Sequence, residues 1–205
     1  MRAPQPPQQL RAKQTRRQLM TAARQVFAER GYLGASIDDV AEAASCSKGA
    51  YYFHFATKED VLLTIIDEWT KSRRERLIEA INAPQTATVT LGCLLEALFL
   101  HDAGNARLIL EFWAQAERNP RVRRRLARAE ETSRGFLIDA LRRVQDAGAL
   151  ASGRTPEGSA DAALALQRGF IAQTALGRNG APSARTRADA ATSFFVYDWQ
   201  LQATA

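Results

Sequence analysis

With 205 residues and 46% hydrophobic content, the chain can build one large or two small domains around a buried core. No stretch approaches the roughly 18 uninterrupted apolar residues that a membrane helix requires. A net charge of +6 and a pI near 9.8 favour a polyanionic partner, and the bases are unevenly placed: Arg2, Arg11, Lys13, Arg16, Arg17 and Arg24 all precede the first acid, Glu29. Two cysteines, Cys46 and Cys93, are too few for a disulfide framework, so both are expected as reduced thiols in a cytoplasmic protein. Two histidines, His54 and His101, with no Glu-x-x-His pair, leave metal and di-iron catalysis without ligands; no metal and no cofactor are expected.

Residues 1–12 form a basic lead rich in proline and glutamine, with no apolar run that would make a signal peptide or anchor; it is expected to be flexible. Leu19, Ala22, Ala23, Val26 and Phe27 then recur at helical spacing, and Gly31 stands where a C-terminal cap would end this first helix. Thr15, Arg16 and Arg17 lie at its predicted start, where side chains and free backbone N–H groups suit a phosphate.

Ser36 opens a second helix whose stripe is Ile37, Val40, Ala41 and Ala44, with Asp39 placed to complete a capping box. Ala44-Ser45-Cys46 breaks that stripe, and Ser47 is positioned to cap a third helix carrying Lys48, Gly49, Ala50, Tyr51, Tyr52 and His54. Small residues at Gly49 and Ala50 let a backbone approach base edges, and Lys48 and the tyrosine hydroxyls supply donors, so this face suits the DNA major groove. Tyr51, Tyr52, Phe53 and Phe55 cannot all point inward on so short a helix, because successive side chains turn by about 100°. Phe53 and Phe55 are expected in the core, with Lys48, Tyr51 and Tyr52 on the reading face. Thr57, Lys58, Glu59 and Asp60 form another capping sequence, and Lys58 and Thr15 are expected to hold phosphates.

These residues resemble the TetR family of bacterial transcriptional regulators. The resemblance rests on Ala22-Ala23, Phe27, Gly31-Tyr32, Ser36, Ser47-Lys48-Gly49, Tyr52, His54-Phe55 and Lys58-Glu59, and covers roughly residues 13 to 66. Two positions depart from the family pattern: Ser45 stands at a turn position usually held by glycine, and Cys46 replaces a usual aliphatic residue. A non-glycine residue in a left-handed turn costs about 1 kcal/mol. The resemblance implies an all-α fold of about nine helices. A three-helix helix-turn-helix domain over 13–58 would precede a helical ligand-binding and dimerisation domain over 59–205, with a helix over 58–81 linking them. It implies a regulator, read here as a repressor, that binds double-stranded operator DNA with an inverted repeat as a homodimer, has no membrane partner and is released by a small molecule.

That linking helix carries Val61, Leu62, Ile65, Ile66 and Trp69, resumes its stripe at Leu77, and stops at Asn82-Ala83-Pro84. Beyond it every segment reads as helix: 89–102, 107–118, 120–147 between a starting Pro120 and a capping Gly148, 156–176, and a last one opened by Pro182-Ser183 and ending near Leu201. Small and apolar positions at Leu166, Gly169 and Phe170, with Phe194, Phe195 and Trp199, are compatible with the dimer interface that the resemblance places on the last two helices. Ile66, Trp69, Leu95, Phe99, Leu110, Trp113, Phe136 and Phe170 are candidates to line a ligand pocket, with Glu111, His101 and Gln173 as polar anchors. A carboxylate at Glu111 amid apolar neighbours would favour a cationic or hydrogen-bonding ligand, and the inducer is expected to be apolar or cationic.

Two other classes fit less well. A helical enzyme lacks its chemistry, since Cys93 sits in an apolar run without an activating base and no phosphate-cradling glycine loop occurs. Non-specific nucleoid binding needs bases spread along an extended surface, whereas acids largely offset bases in the second half except over Arg121–Arg128.

Overall fold

A computed structural model describes residues 8–83, 86–103, 105–176 and 182–196. Among these residues it is all-α, with nine helices: α1 Gln8–Gly34, α2 Ile37–Ala43, α3 Lys48–His54, α4 Lys58–Asn82, α5 Ala87–Ala103, α6 Ala106–Arg118, α7 Pro120–Asp146, α8 Pro156–Ala175 and α9 Ala184–Val196. Trp199, the expected end of the last helix near Leu201, and the His101 side chain lie outside the described residues. Two compact units are present, one containing the residues through Glu68 with Glu111–Arg125, the other Trp69–Leu110 with the residues from Leu126 onward. The first eleven residues of α4 and the second half of α6 belong to the first unit; chain order does not reveal which later helix packs on an earlier one.

The helices begin where polar side chains replace missing backbone partners. Ser36 Oγ accepts from the Asp39 N–H (3.1 Å) while Asp39 Oδ2 accepts from the Ser36 N–H (2.7 Å), a full capping box. Thr57 and Asp60 repeat this reciprocal pair at α4. Asn119 Oδ1 accepts from the Arg121 and Val122 N–H groups ahead of α7, with Pro120 at its first position. Thr155 and Ser183 cap α8 and α9 through the N–H groups of Gly158 and Thr186.

Helix ends show the same economy of means. At the end of α7 the Gly148 N–H donates to the Gln145 carbonyl and the Ala149 N–H to the Val144 carbonyl, with Gly148 at φ 68°. This is a Schellman turn. Its twin closes α2, where the Ser45 N–H donates to Glu42 and the Cys46 N–H to Ala41, but here the left-handed residue is Ser45 at φ 52°. Among the described residues it is the one non-glycine residue with positive φ, as its departure from the family pattern implies.

In the first unit α1 packs on α2 and α3 through Leu19, Ala22, Ala23, Val26 and Phe27, all buried at the expected spacing. Within the stretch 1–12, expected to be a flexible lead, α1 already starts at Gln8, because glutamine, leucine, alanine and arginine over 8–12 all sustain a helix. Gly31 interrupts α1 with φ 73° and ψ 157°, a backbone region open essentially to glycine. In the second unit α5, apolar on most of its faces, packs on α8 and α9. Its Leu91, Leu94, Leu95, Leu98 and Phe99 meet Leu137, Leu141 and Val144 of α7 and the alanines of α8 and α9.

Candidate nucleic-acid interface

Helix α3 has two faces set by its four-residue periodicity. Tyr51 is fully buried and Phe55, just beyond the helix, is nearly so; the same four-residue step places Lys48 with Tyr52, and Gly49 with Phe53, outside. Ser47 Oγ accepts from the Ala50 N–H (3.1 Å), which fixes the rotation of this short helix and leaves Ala50 and His54 at its flank, half-buried.

Two assignments from the sequence are thereby reversed. Tyr51, expected on the reading face, is a core residue: its hydroxyl donates to the Thr57 carbonyl (3.2 Å), and burial raises its pKa. Phe53, expected in the core, is 77% exposed, with its ring edge against His54 at 5.0 Å between centroids. The pattern contained two equivalent choices, one inward pair at 51 and 55 and one at 49 and 53. Glycine offers no surface to bury, and that asymmetry is the signal that could have selected the first pair.

The exposed strip is therefore Lys48, Gly49, Tyr52 and Phe53. Lys48 Nζ pairs with Asp38 of α2 at 2.9 Å, an exposed ion pair that raises the lysine pKa through the hydrogen bond. Gly49 is open: a Cβ there would meet nothing closer than Ser47 Oγ at 3.7 Å. His54 has its pKa lowered, first by burial and then by the neighbouring Arg16, so it is neutral near pH 7.

Lys58 does not sit as a phosphate-facing lysine. Its ammonium donates to the carbonyls of Tyr32 (2.7 Å) and Ala35 (2.6 Å) and lies 4.5 Å from the Tyr32 ring centroid. It serves carbonyls left over where α1 ends, and burial lowers its pKa. Thr15, Arg16 and Arg17 lie about two turns inside α1, so their backbone N–H groups are committed to the helix and only side chains remain for DNA. Arg16 lies 5.0 Å over the Phe55 ring and 3.6 Å from Glu68, Thr15 is half-buried, and Arg17 is exposed beside the α2–α3 turn. Ser36 and Ser47 are both exposed at their caps.

Glu111, expected as a ligand anchor, belongs to this first unit: the Tyr32 N–H donates to its Oε2 (2.8 Å), and a Cβ on Gly31 would come within 3.4 Å of its Oε1. The carboxylate closes the break in α1. The other expected pocket residues are divided. Ile66 and Trp113 fall in the first unit, whereas Trp69, Leu95 and Phe99 are buried in the second, where Phe136 and Phe170 pack against the apolar cluster and Leu110 is half-buried. Gln173 lines a separate groove of about 560 Å³ between α8 and α9, with Leu166, Gly169, Phe170, Arg187 and Phe194. Phe195, expected at an interface, is fully buried in the second unit's core.

The basic run that could have spread nucleic-acid contacts over α7 is largely engaged. Arg121 pairs with Glu59, Arg125 with both oxygens of Asp67, and Arg123 donates to the carbonyls of Ala116 and Glu117 at the end of α6. Among the described residues no group of histidine, cysteine and carboxylates could hold a metal ion, and no helix is long and apolar enough to cross a membrane.

Comparison with known proteins places this helix-turn-helix. Residues 19–65 match the family model described as bacterial regulatory proteins, tetR family, and residues 90–194 match that of the BetI-type transcriptional repressor, C-terminal. The HTH-type transcriptional regulator UidR of Escherichia coli (strain K12) is 29% identical over 143 residues, 68% of this chain and 71% of that one. The regulator CymR of Pseudomonas putida is 34% identical over 134 residues, 63% and 64% of the two chains. Among solved structures, a transcriptional regulator from Saccharomonospora viridis in complex with choline superposes with a TM-score of 0.76 at 22% identity, covering 89% of this chain and 95% of that one. FadR from Bacillus subtilis in complex with stearoyl-CoA gives 0.74 at 20%, covering 88% and 97%. With both halves of the chain matched, and the first match lying on the capped α2–α3 reader, the chain belongs to the TetR family of bacterial transcriptional regulators.

Proposed function

We propose that two copies of this chain bind an inverted-repeat operator, each laying the Lys48–Gly49–Tyr52–Phe53 strip of α3 in one major groove, and that the complex represses transcription. The observation that carries this reading is the strip itself, an exposed aromatic and basic surface interrupted by an open glycine that admits close backbone approach. Arg17 and Thr15 are assigned to phosphates. One such helix contacts too few bases for strong specificity, and two-fold pairing doubles the site. The groove between α8 and α9 supports the pairing: Leu166 and Phe194 are exposed apolar residues there, and Gly169 permits close helix approach.

A small molecule taken up by the second unit then lowers operator affinity, with α4, which contributes residues to both units, carrying the shift. The choline and stearoyl-CoA held by similarly folded regulators support a ligand-responsive second unit. The test is fluorescence anisotropy with a duplex carrying the inverted repeat upstream of the gene, against a scrambled duplex at the same salt. Specific affinity should exceed the scrambled control by about 10³ or more. Equal affinity for both duplexes overturns the reading, and a solution mass of 22.6 kDa rather than twice that value overturns the dimer.

A further inference from the structure

Arg73 on α4 is 2% exposed, in the interior of the second unit. Its Nη2 donates to Gln167 Oε1 on α8 (3.0 Å), and its cation lies 5.2 Å from the Trp69 ring centroid. Glu130 Oε1 on α7 approaches Nη1 only to 3.6 Å, too far for a hydrogen bond, while the other oxygen of Glu130 accepts from Arg168 Nη2 at 2.9 Å. Nε and Nη1 therefore have no hydrogen-bond partner among the described residues, and these two atoms carry most of a guanidinium's donors.

Burial of this group cannot be relieved by loss of a proton, because a guanidinium stays charged across the accessible pH range. Glu130, the carboxylate nearest Arg73, is shared with Arg168, whose side chain is 46% exposed against 2% for Arg73. A buried guanidinium that shares its carboxylate and leaves two nitrogens without acceptors is the complement of a monoanionic oxygen acid. The surroundings specify the rest of such a molecule. Leu77, one turn along α4, belongs to the apolar cluster with Leu95 and Phe99, and Phe170, one turn along α8 from Gln167, packs its ring edge on Phe99 at 5.1 Å. The acids that could have favoured a cation are engaged, Glu130 by Arg168 and Glu111 by the Tyr32 N–H.

We propose that the second unit binds a small carboxylic acid with an apolar body, its carboxylate received by the Arg73 guanidinium. This rests on the reading that the second unit takes up a small molecule, and it proposes an anionic head group where the sequence reading expected an apolar or cationic molecule.

The test is calorimetric titration of the full chain, without DNA, with octanoate and 4-phenylbutanoate, each against the alcohol and amine of the same skeleton. At pH 7 the acids should bind at least tenfold more tightly than the alcohols. In Arg73→Met, acid affinity should fall roughly ten- to a hundredfold, as loss of a charge-assisted hydrogen bond predicts. The empty Arg73→Met protein should keep the wild-type circular-dichroism spectrum, since Glu130 retains its pairing with Arg168. Arg73→Gln serves as the second variant. Alcohols or amines that bind as tightly as the acids, acids that do not bind, unchanged acid affinity in either folded variant, or failure of both variants to fold each overturns the proposal. Acid binding through Arg73 without any effect on operator affinity leaves this site standing and removes induction. Amine-driven release of the operator does the reverse.

Discussion

In the DNA reader, polar side chains answer to neighbours three residues away: Ser36 to Asp39, Ser47 to the N–H of Ala50, Thr57 to Asp60. In the second unit, buried Arg73 answers to Gln167, 94 residues distant, and at the surface Glu130 answers to Arg168, 38 residues distant. The difference separates two jobs. Local pairs set where a helix starts and how it is rotated, and so fix which of its faces stays exposed whatever else the chain does. Distant pairs form only when several helices have packed, and they leave the second unit's interior free to vary in chemistry while its helix ends stay capped in the same local way.

The sharpest way to break this contrast is to alter the reader's outer face alone. Gly49→Trp should reduce operator affinity toward the non-specific level, a loss of about 10³ or more. The fold should survive, because the space beside Gly49 is open. Anisotropy together with an unchanged circular-dichroism melt checks both halves of that statement. The inner face should respond in the opposite manner: Tyr51→Ala removes a fully buried ring and should destabilise the protein by about 3–5 kcal/mol, whereas Tyr52→Ala should leave the melt unchanged and weaken operator binding by roughly 1 kcal/mol.

The first unit also contains distant contacts, and these sharpen the comparison. Lys58→Met and Glu111→Ala each strip a charged partner from backbone groups near the break in α1, and each should cost about 1.5–3 kcal/mol in urea denaturation. Lys58→Met should leave the salt dependence of DNA binding unchanged, while Arg17→Ala should make it shallower by about one unit of slope.

A smaller effect concerns the two Schellman turns. Ser45→Gly gives the α2 turn the residue that Gly148 already supplies at α7, and should stabilise the protein by about 1 kcal/mol. The smallest expected effect is in pH. Because the native pKa of His54 lies below the ordinary value, the unfolded chain takes up a proton that the folded unit resists, so stability is full above about pH 6.5 and declines as pH falls through the native pKa. His54→Gln should flatten the dependence of the denaturation midpoint between pH 7 and 5.

How legible the molecule was follows from range. The described helices, the capping boxes at Ser36 and Thr57, the turn at Ser45 and the proline and glycine around α7 could all be read in the sequence, because each depends on residues within one helical turn. Periodicity also required that the aromatic residues of α3 could not all face inward, but the expected core pair, Phe53 and Phe55, was half wrong. The aromatic content of 51 and 53 alone did not choose between these two positions; the glycine at 49 disfavours the pair 49 and 53, and the packed first unit has Tyr51 turned inward. The roles of Lys58, Glu111 and Arg73 were likewise beyond the sequence. A charged side chain in an amphipathic stretch looks the same whether it meets water, a phosphate or a carbonyl 23 or more residues away. Local spacing determined the helices and the reader's caps; which charges are buried, and what they touch, was decided only when distant helices packed, because desolvation depends on neighbours that sequence order does not name.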